Sequence, residues 1–216
     1  MAGRKLTFSL FCHSVDEAIA QSIYDAIDKD GCHIINMSLG GPFPSPNIQK
    51  AVQYAYSKGV ILVSAAGNSG DGDPLTNEVS YPASFSECIS IAAVSKKNGL
   101  PVARFSNSNV EVDYAGVGVD VVSMKPGGSY QTMSGTSMAS PHVAGLIAAL
   151  FSNGRIVNVG NKTDGKLRET LNGTYCVDID VEGRDNNTGL GFLTALDATA
   201  YARALQKIGA PMASVY

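Results

Sequence analysis

The chain has 216 residues, of which 44% are hydrophobic and 16% are charged, and its formal net charge is −3. This length is enough for one domain with a sizeable core, and the weak negative charge gives no reason to expect nucleic acid or an anionic membrane as a partner. No apolar run reaches the roughly 18 residues that a membrane-spanning helix needs. Residues 1–14 form a poorly defined segment without a clear cleavage site, so no signal peptide is predicted.

The first half of the sequence alternates between helical and strand-like patterns. Residues 15–30 and 47–58 carry apolar side chains at helical spacing, and each stretch ends at a glycine. Residues 33–38 are a short strand-like segment, and residues 60–64 are an almost wholly apolar run. Such runs are typical of parallel strands that are covered on both faces.

The second half continues the same alternation. Residues 88–94 and 117–122 are predicted strands, and residues 137–151, 164–171 and 194–205 are predicted helices. Strands that alternate with helices indicate an α/β fold with a mostly parallel sheet flanked by helices. No linker or internal repeat interrupts the chain, so residues 1–216 are interpreted as a single domain.

The cysteines and the glycosylation sequons leave the compartment open. The cysteines are too few for a disulfide framework, and one or two bridges or buried free thiols are both compatible with them; they are Cys12, Cys32, Cys88 and Cys176. Asn36 begins an Asn-x-Ser sequon in a predicted buried strand. Three further sequons lie in polar stretches and weakly favour a secreted origin; they begin at Asn161, Asn172 and Asn186.

The stretch GTSMASPHVAG at residues 135–145 presents a serine at the start of a helix. Free N–H groups and the helix dipole favour a developing oxyanion there, so Ser137 is a candidate nucleophile, although an N-cap role is equally compatible with the pattern. Pro141 is predicted in the first helical turn, where its missing N–H costs nothing. A serine nucleophile needs a base, and His142 is rotated about 140° away on the same helix. His13 and His33 are the other histidines, and either is compatible with a purely structural role.

Three ordered blocks resemble the subtilisin-like serine proteases. GTSMASPHVAG is similar to their nucleophile signature, INMSLGGP at residues 35–42 to their substrate-binding strand, and SAAGNSG at residues 64–70 to the segment with their oxyanion-hole asparagine. The turns at residues 81–83 and 189–191 also match. The resemblance runs from about residue 15 to about residue 200, and it implies a subtilisin-like three-layer architecture.

The resemblance assigns roles to individual positions. Ser137 is implied as the nucleophile, and its backbone N–H and the Asn68 side-chain amide are implied as the oxyanion donors. An edge formed by Ser38, Leu39 and Gly40 is expected to pair with an extended polypeptide substrate. The remaining implied positions line the primary specificity pocket and its floor; they are Ala65, Ala66, Gly67 and Ser80.

A structural calcium ion is also implied, although the chemistry itself requires no cofactor. Glu111 and Asp113 fall where similar proteins hold a weak cation site, together with the backbone carbonyls of Ala83, Phe85 and Cys88. Two carboxylates in Glu-Val-Asp are equally common on an exposed strand. An extracellular or secretory location is likewise expected from the resemblance.

The sequence lacks two motifs that the family triad needs, an Asp-Thr/Ser-Gly turn and a His-Gly-Thr segment. The chain therefore resembles the C-terminal half to two-thirds of a catalytic domain, truncated at its N-terminal side, and is expected to be inactive in isolation. Three hypotheses remain open: an incomplete endopeptidase, a peptide-binding relative without catalysis, and a new arrangement in which His13 or His33, with an acid such as Asp16, serves Ser137. A pro-segment or a second chain that supplies the missing strands is an expected partner, because a parallel sheet without its leading strands exposes an apolar edge.

Overall fold

A parallel β-sheet forms the centre of the structure, a computed structural model that describes residues 7–9 and 16–196. The sheet has seven strands in the order β1-β2-β3-β4-β5-β9-β8. Neighbouring strands run parallel from β1 to β9, and β8 is antiparallel to β9. The strands of this sheet are β1 (Thr7–Ser9), β2 (Ile34–Met37), β3 (Ile61–Ala65), β4 (Cys88–Val94), β5 (Tyr114–Val117), β8 (Cys176–Val177) and β9 (Phe192–Leu193).

Helices cover both faces of this sheet and make a three-layer α/β structure. Helices α1 (Asp16–Asp28) and α2 (Pro46–Ser57) pack on one face, against residues such as Ile35, Met37 and Leu62. Helix α3 (Thr136–Ser152) packs on the other face, against residues such as Ile61, Ile89 and Ile91. The predicted fold class is therefore confirmed. A fourth helix, α4 (Thr163–Thr170), leads into a single π-helical turn at Leu171–Tyr175.

The burial of the central strands explains why their apolar runs predicted strands from the sequence. All residues of β2, β3 and β4 are buried, because helices cover both faces. Their carboxyl ends meet at one edge of the sheet, where the polar segments after β2 and β3 face the start of α3. This edge is the general location of ligand sites in parallel sheets. Within residues 16–196, no helix combines the length and the apolar character that crossing a bilayer requires.

Two sequence predictions about secondary structure are wrong. Residues 117–122 are not one strand, because β5 ends at Val117 and a new strand, β6 (Val121–Lys125), begins after a turn in which Asp120 has a φ of 54°. Strand β6 pairs with β7 (Ser129–Met133) as an exposed hairpin, which was not predicted. Pro141 lies in the second turn of α3 rather than the first, because the helix already begins at Thr136.

The ends of two predicted helices lie outside the described residues. Helix α1 is described from Asp16, so its predicted first residue at position 15 lies outside the described residues. The predicted helix at 194–205 falls mostly beyond residue 196, and the part that is described, residues 194–196, is not helical.

Candidate active site

Ser137 lies in the first turn of α3 and faces the segment that follows β2. Its hydroxyl donates a hydrogen bond of 3.4 Å to the backbone carbonyl of Ser38. The N–H groups of Thr136 and Met138 donate to Asn68 Oδ1 and to the Gly135 carbonyl, and the Ser137 N–H lies between them at the positive end of the helix dipole. The start of α3 therefore has the chemistry that a developing oxyanion needs.

Asn68 is fixed beside the start of α3 by Thr136. The backbone N–H and the hydroxyl of Thr136 both donate to Asn68 Oδ1, at 2.8 Å and 3.0 Å. The Thr136 hydroxyl also accepts a hydrogen bond of 3.2 Å from the Gly67 N–H. Because Oδ1 accepts both bonds from Thr136, Nδ2 is the end of the amide that faces away from them. This orientation keeps Nδ2 out of the contact with Thr136.

Asn107, a buried residue that was not predicted from the sequence, hydrogen-bonds the loop that carries Asn68. Its Oδ1 accepts a hydrogen bond of 2.7 Å from the Ser69 N–H, and its own N–H donates to the Gly67 carbonyl at 3.1 Å. The Gly67 φ of 112° brings this backbone against the Asn107 amide, where a β-carbon would overlap it. Asn107 therefore holds the loop from both sides of Asn68.

Replacing Asn107 by alanine is expected to lower the free energy of unfolding by about 0.5–1.5 kcal/mol, because the Ser69 N–H would lose its acceptor in a partly buried hydrogen bond. Urea denaturation of the purified chain measures this change. Asn47→Ala is the matched control, since Asn47 is exposed in the first turn of α2. Equal unfolding midpoints for the two variants would contradict the supporting role of Asn107.

The residues expected to pair with a peptide form an open edge after β2. Gly41 exchanges two backbone hydrogen bonds with Tyr81, of 3.0 Å and 2.8 Å, and these bonds fix the end of the edge. Leu39 is partly buried against the core on the side of α1 and α2. Gly40 lies directly against Ser80, so that a β-carbon at position 40 would overlap the Ser80 hydroxyl. The structure thus brings the predicted edge and the predicted pocket floor together.

Of the residues predicted to form the pocket wall after β3, some lie in the core and others face the groove. Ala65 and Ala66 are both buried, and Ala66 packs with Ala92 and Val94 in the core. The Ala66 side chain therefore faces the core, and its backbone N–H donates to the Ile91 carbonyl at 3.0 Å. Gly67 and Asn68 are the members of this segment that are partly or fully exposed.

Neither described histidine is placed to act as a base for Ser137. His142 Nδ1 lies 2.8 Å from the Met138 carbonyl, one turn back on its own helix. The His33 ring packs 6.4 Å from the ring of Phe151, measured between centroids. Phe151 is fourteen positions beyond Ser137 on α3, which corresponds to about 21 Å along the helix axis. His13 lies outside the described residues.

The implied calcium ligands are occupied by an arginine. Arg168 Nη1 lies 2.7 Å from Asp113 Oδ1, and Arg168 Nη2 donates to the Cys88 carbonyl at 2.9 Å. The second carboxylate oxygen of Asp113 accepts from the Ser90 N–H at 2.9 Å, while Glu111 is exposed. A cation would have to displace the guanidinium, so these residues as placed do not fit a calcium ion. Calcium stays a prediction from the resemblance.

Two thiols of the described residues are unsuited to nucleophilic chemistry. Cys88 and Cys176 are free, and burial raises the pKa of each thiol to about 12. The reactive form of cysteine is the thiolate, and a raised pKa suppresses it. Among the described residues no group of three acidic, histidine or cysteine side chains is placed to hold a metal ion.

Comparisons with known proteins show relatives that are proteases. The M-protease of Shouchella clausii (strain KSM-K16) is 37% identical over 188 residues, which are 84% of this chain and 43% of that protein. The solved structure of the S41 psychrophilic protease matches with a TM-score of 0.72 at 32% identity and covers 83% of this chain and 64% of that chain. The chain thus spans less than two-thirds of the length of these relatives.

A further relative bears on the location of the protein. The intracellular serine protease of Paenibacillus polymyxa is 47% identical over 132 residues, which are 61% of this chain and 40% of that protein. Because this relative is named intracellular, the relatives as a group do not single out an extracellular location, which stays a prediction. The model of the subtilase family matches residues 7–192. This match extends over most of the sequence, and the chain therefore belongs to the subtilase family.

Proposed function

We propose that this chain carries the nucleophile and the oxyanion hole of a subtilisin-like serine endopeptidase, and that it does not hydrolyse peptide bonds by itself. The observation that carries the proposal is the pair of hydrogen bonds from Thr136 to Asn68 Oδ1, which fixes the Asn68 side chain beside Ser137 and keeps its Nδ2 donor out of the contact with Thr136. Names of relatives that denote serine proteases support the same reaction class.

The proposed chemistry is acyl transfer. The Ser137 oxygen would attack the carbonyl carbon of a peptide bond, and the carbonyl oxygen would become an oxyanion. The Ser137 N–H and Asn68 Nδ2 would donate to this oxyanion, and one such donor is worth about 3–4 kcal/mol of transition-state stabilisation. Collapse of the intermediate would break the C–N bond and transfer the proton from the Ser137 hydroxyl to the departing amine, through the base that the proposed partner supplies. An acyl-enzyme would remain on Ser137, and water would then hydrolyse it.

The proposed inactivity of the chain alone rests on the lack of a proton acceptor beside Ser137 among the described residues. The Ser137 hydroxyl donates to a backbone carbonyl, which is too weakly basic to take the proton. His33 packs at the far end of α3, and His142 is bonded to its own helix. A pro-segment or a second polypeptide that supplies further strands and a histidine remains the partner that we propose for activity.

Polypeptide substrates are the proposed ligands of the groove. An extended peptide would pair with the backbone of Ser38, Leu39 and Gly40, and one of its side chains would enter the space near Gly67 and Ser80. The small residues around this space suit a sizeable apolar side chain, and the Ser80 hydroxyl adds slight polarity. The alternative function, a peptide-binding module without catalysis, is favoured by the same intact edge.

Calorimetric titration with a blocked hexapeptide that carries a large apolar side chain, followed by mass spectrometry of the titrated peptide, tests the proposal. We expect binding without cleavage, and unchanged binding in Ser137→Ala. Gly40→Ala is expected to weaken binding, because the added β-carbon overlaps the Ser80 hydroxyl and lies 3.2 Å from the Tyr81 carbonyl oxygen. The matched control is Gly41→Ala, whose β-carbon would meet open space. Absence of binding would contradict the groove, and cleavage would contradict the inactivity of the isolated chain.

A further inference from the structure

Pro141 leaves the backbone carbonyl of Ser137 without its partner in helix α3. In an α-helix the N–H of each residue donates to the carbonyl four positions earlier. Proline has no N–H, so the carbonyl of Ser137 receives no such bond from position 141. The residue proposed as the nucleophile therefore stands at a gap in the hydrogen bonding of its own helix.

The side chain of Ser38 fills this gap. Its hydroxyl donates to the Ser137 carbonyl at 3.0 Å, in place of the missing N–H. The Ser137 hydroxyl in turn donates to the Ser38 carbonyl at 3.4 Å. The two serines, 99 positions apart in sequence, thus form a reciprocal pair of bonds that joins the segment after β2 to the start of α3.

The direction of the Ser38 hydroxyl is fixed by two further polar groups. Asn36 Nδ2 donates to Ser38 Oγ at 2.9 Å, and Ser140 Oγ lies 3.1 Å from the same oxygen. Since Ser38 has one proton and gives it to the Ser137 carbonyl, Ser140 must donate to Ser38 rather than accept from it. Asn36 and Ser140 are both buried, so little water competes for these bonds.

We propose that Ser38 is a positioning residue. Its side chain holds the main chain of Ser137 by bonding the Ser137 carbonyl, which Pro141 cannot bond. This role is additional to the peptide-pairing role of the Ser38 backbone, and it rests on the proposed function because Ser137 is taken as the nucleophile. Asn36 and Ser140 orient the Ser38 hydroxyl. The side chains of Ser38, Asn36 and Ser140 thus connect Ser137 to the sheet without contacting the substrate.

A double-mutant cycle between Ser38 and Pro141 tests whether the bond from the Ser38 hydroxyl replaces the bond that an N–H at position 141 would make to the Ser137 carbonyl. Ser38→Ala is expected to raise the unfolding equilibrium constant of the chain about tenfold, because the Ser137 carbonyl loses its donor. In a Pro141→Ala background, the new N–H at position 141 bonds to that carbonyl, and the same change is expected to raise the constant less than about threefold. Ser22→Ala is the control, since the Ser22 hydroxyl donates to a carbonyl of its own helix at 2.7 Å.

The cycle gives an answer even where a single variant does not fold. If Ser38→Ala fails to fold and the double variant folds, rescue by Pro141→Ala supports the proposal. Equal effects of Ser38→Ala in both backgrounds would overturn it, and so would failure of the double variant to fold while Pro141→Ala alone folds.

Alkylation of a Ser137→Cys variant by iodoacetamide reports on the position of the nucleophile without a histidine base. The start of a helix lowers the pKa of a thiol, so the pH dependence of alkylation at position 137 is expected to lie below the ordinary cysteine pKa of about 8.5. Mass mapping separates this site from Cys88 and Cys176, whose thiol pKa values burial raises to about 12. Adding Ser38→Ala to Ser137→Cys is expected to move the thiol pKa back towards its ordinary value. Adding Ser38→Thr instead is expected to keep the thiol pKa low, and so is adding Pro141→Ala together with Ser38→Ala.

The outcomes of alkylation separate the two proposals. An ordinary thiol pKa at position 137 in the parent variant would contradict the proposed function, because α3 would then not favour an anion there. A lowered thiol pKa that Ser38→Ala leaves unchanged would overturn the positioning role of Ser38 alone.

Discussion

Hydrolysis of a peptide anilide by this chain is expected to be slower by a factor of about a million than hydrolysis by a subtilase that carries a complete triad. Losses of this size follow removal of triad residues. A factor of a million corresponds to about 8 kcal/mol in the activation free energy. The physical cause is that no described group can take the proton of the Ser137 hydroxyl, which rests on a backbone carbonyl. Release of the coloured aniline over hours at high protein concentration measures the residual rate.

Two variants make this expectation specific. Ser137→Ala is expected to change the residual rate less than about tenfold, because residues of a triad act as a unit and one loss already removes most of the benefit. Asn68→Asp keeps the oxygen that Thr136 contacts and removes the amide donor. It is expected to lower the residual rate about 100-fold or more, since an oxyanion-hole donor acts even without the base. Turnover comparable to that of a complete subtilase, abolished by Ser137→Ala, would show that a base is present.

The central strands and the three main helices could be predicted from sequence because local patterns determine them. The predicted strand at 88–94 has the same bounds as β4, since its seven residues are all buried and nearly all apolar. The short strands could not be predicted in the same way. Strands β8 and β9 have two residues each, and they form because β9 pairs with β5 and β8 pairs with β9.

The exposed hairpin shows the opposite problem. Val122, Met124 and Tyr130 are large apolar side chains, and each is at least 62% exposed. Strands are predicted from apolar side chains on the assumption that such side chains are buried. The exposed hairpin of β6 and β7 does not meet this assumption. The turn at Asp120 separates it from β5, so the apolar run at residues 117–122 joins the end of a buried strand to the start of an exposed one.

Within the candidate site, the sequence indicated the groups that we propose to react and not the residues that hold them. Ser137 and Asn68 lie in recognisable blocks, because their chemistry requires particular neighbours. Asn107 supports the Asn68 loop from 38 positions away, and Ser38 contacts Ser137 across 99 positions. Contacts between side chain and backbone over such separations depend on the folded arrangement of strands, which no local pattern contains.

The largest effect on stability is expected at Arg168, which neutralises two partly buried carboxylates. Arg168 contacts Asp113 at 2.7 Å and Asp164 at 2.8 Å, and its side chain is 24% exposed. Arg168→Met is expected to lower the free energy of unfolding by about 3–5 kcal/mol, because it leaves the Asp164 charge buried and uncompensated and leaves Asp113 with only the more distant Arg184, at 3.9 Å. Urea denaturation at pH 7 measures the loss. Lys29→Met is the matched control, since the Lys29–Asp25 pair is an exposed contact of 2.8 Å and its removal is expected to leave the midpoint nearly unchanged.

The pH dependence of this loss distinguishes uncompensated charge from lost packing. Burial raises the pKa of Asp164 above its ordinary value of 3.8, and the charge of Arg168 opposes this rise. A raised pKa means that the folded state binds the proton more tightly than the unfolded state, so stability falls as pH rises from 3.8 through the folded pKa. Without Arg168 the pKa of Asp164 rises further and this window extends upwards. The destabilisation by Arg168→Met is therefore expected to be smaller at pH 5 than at pH 7, whereas a loss that is equal at both pH values would indicate that packing, and not charge, is what Arg168 contributes.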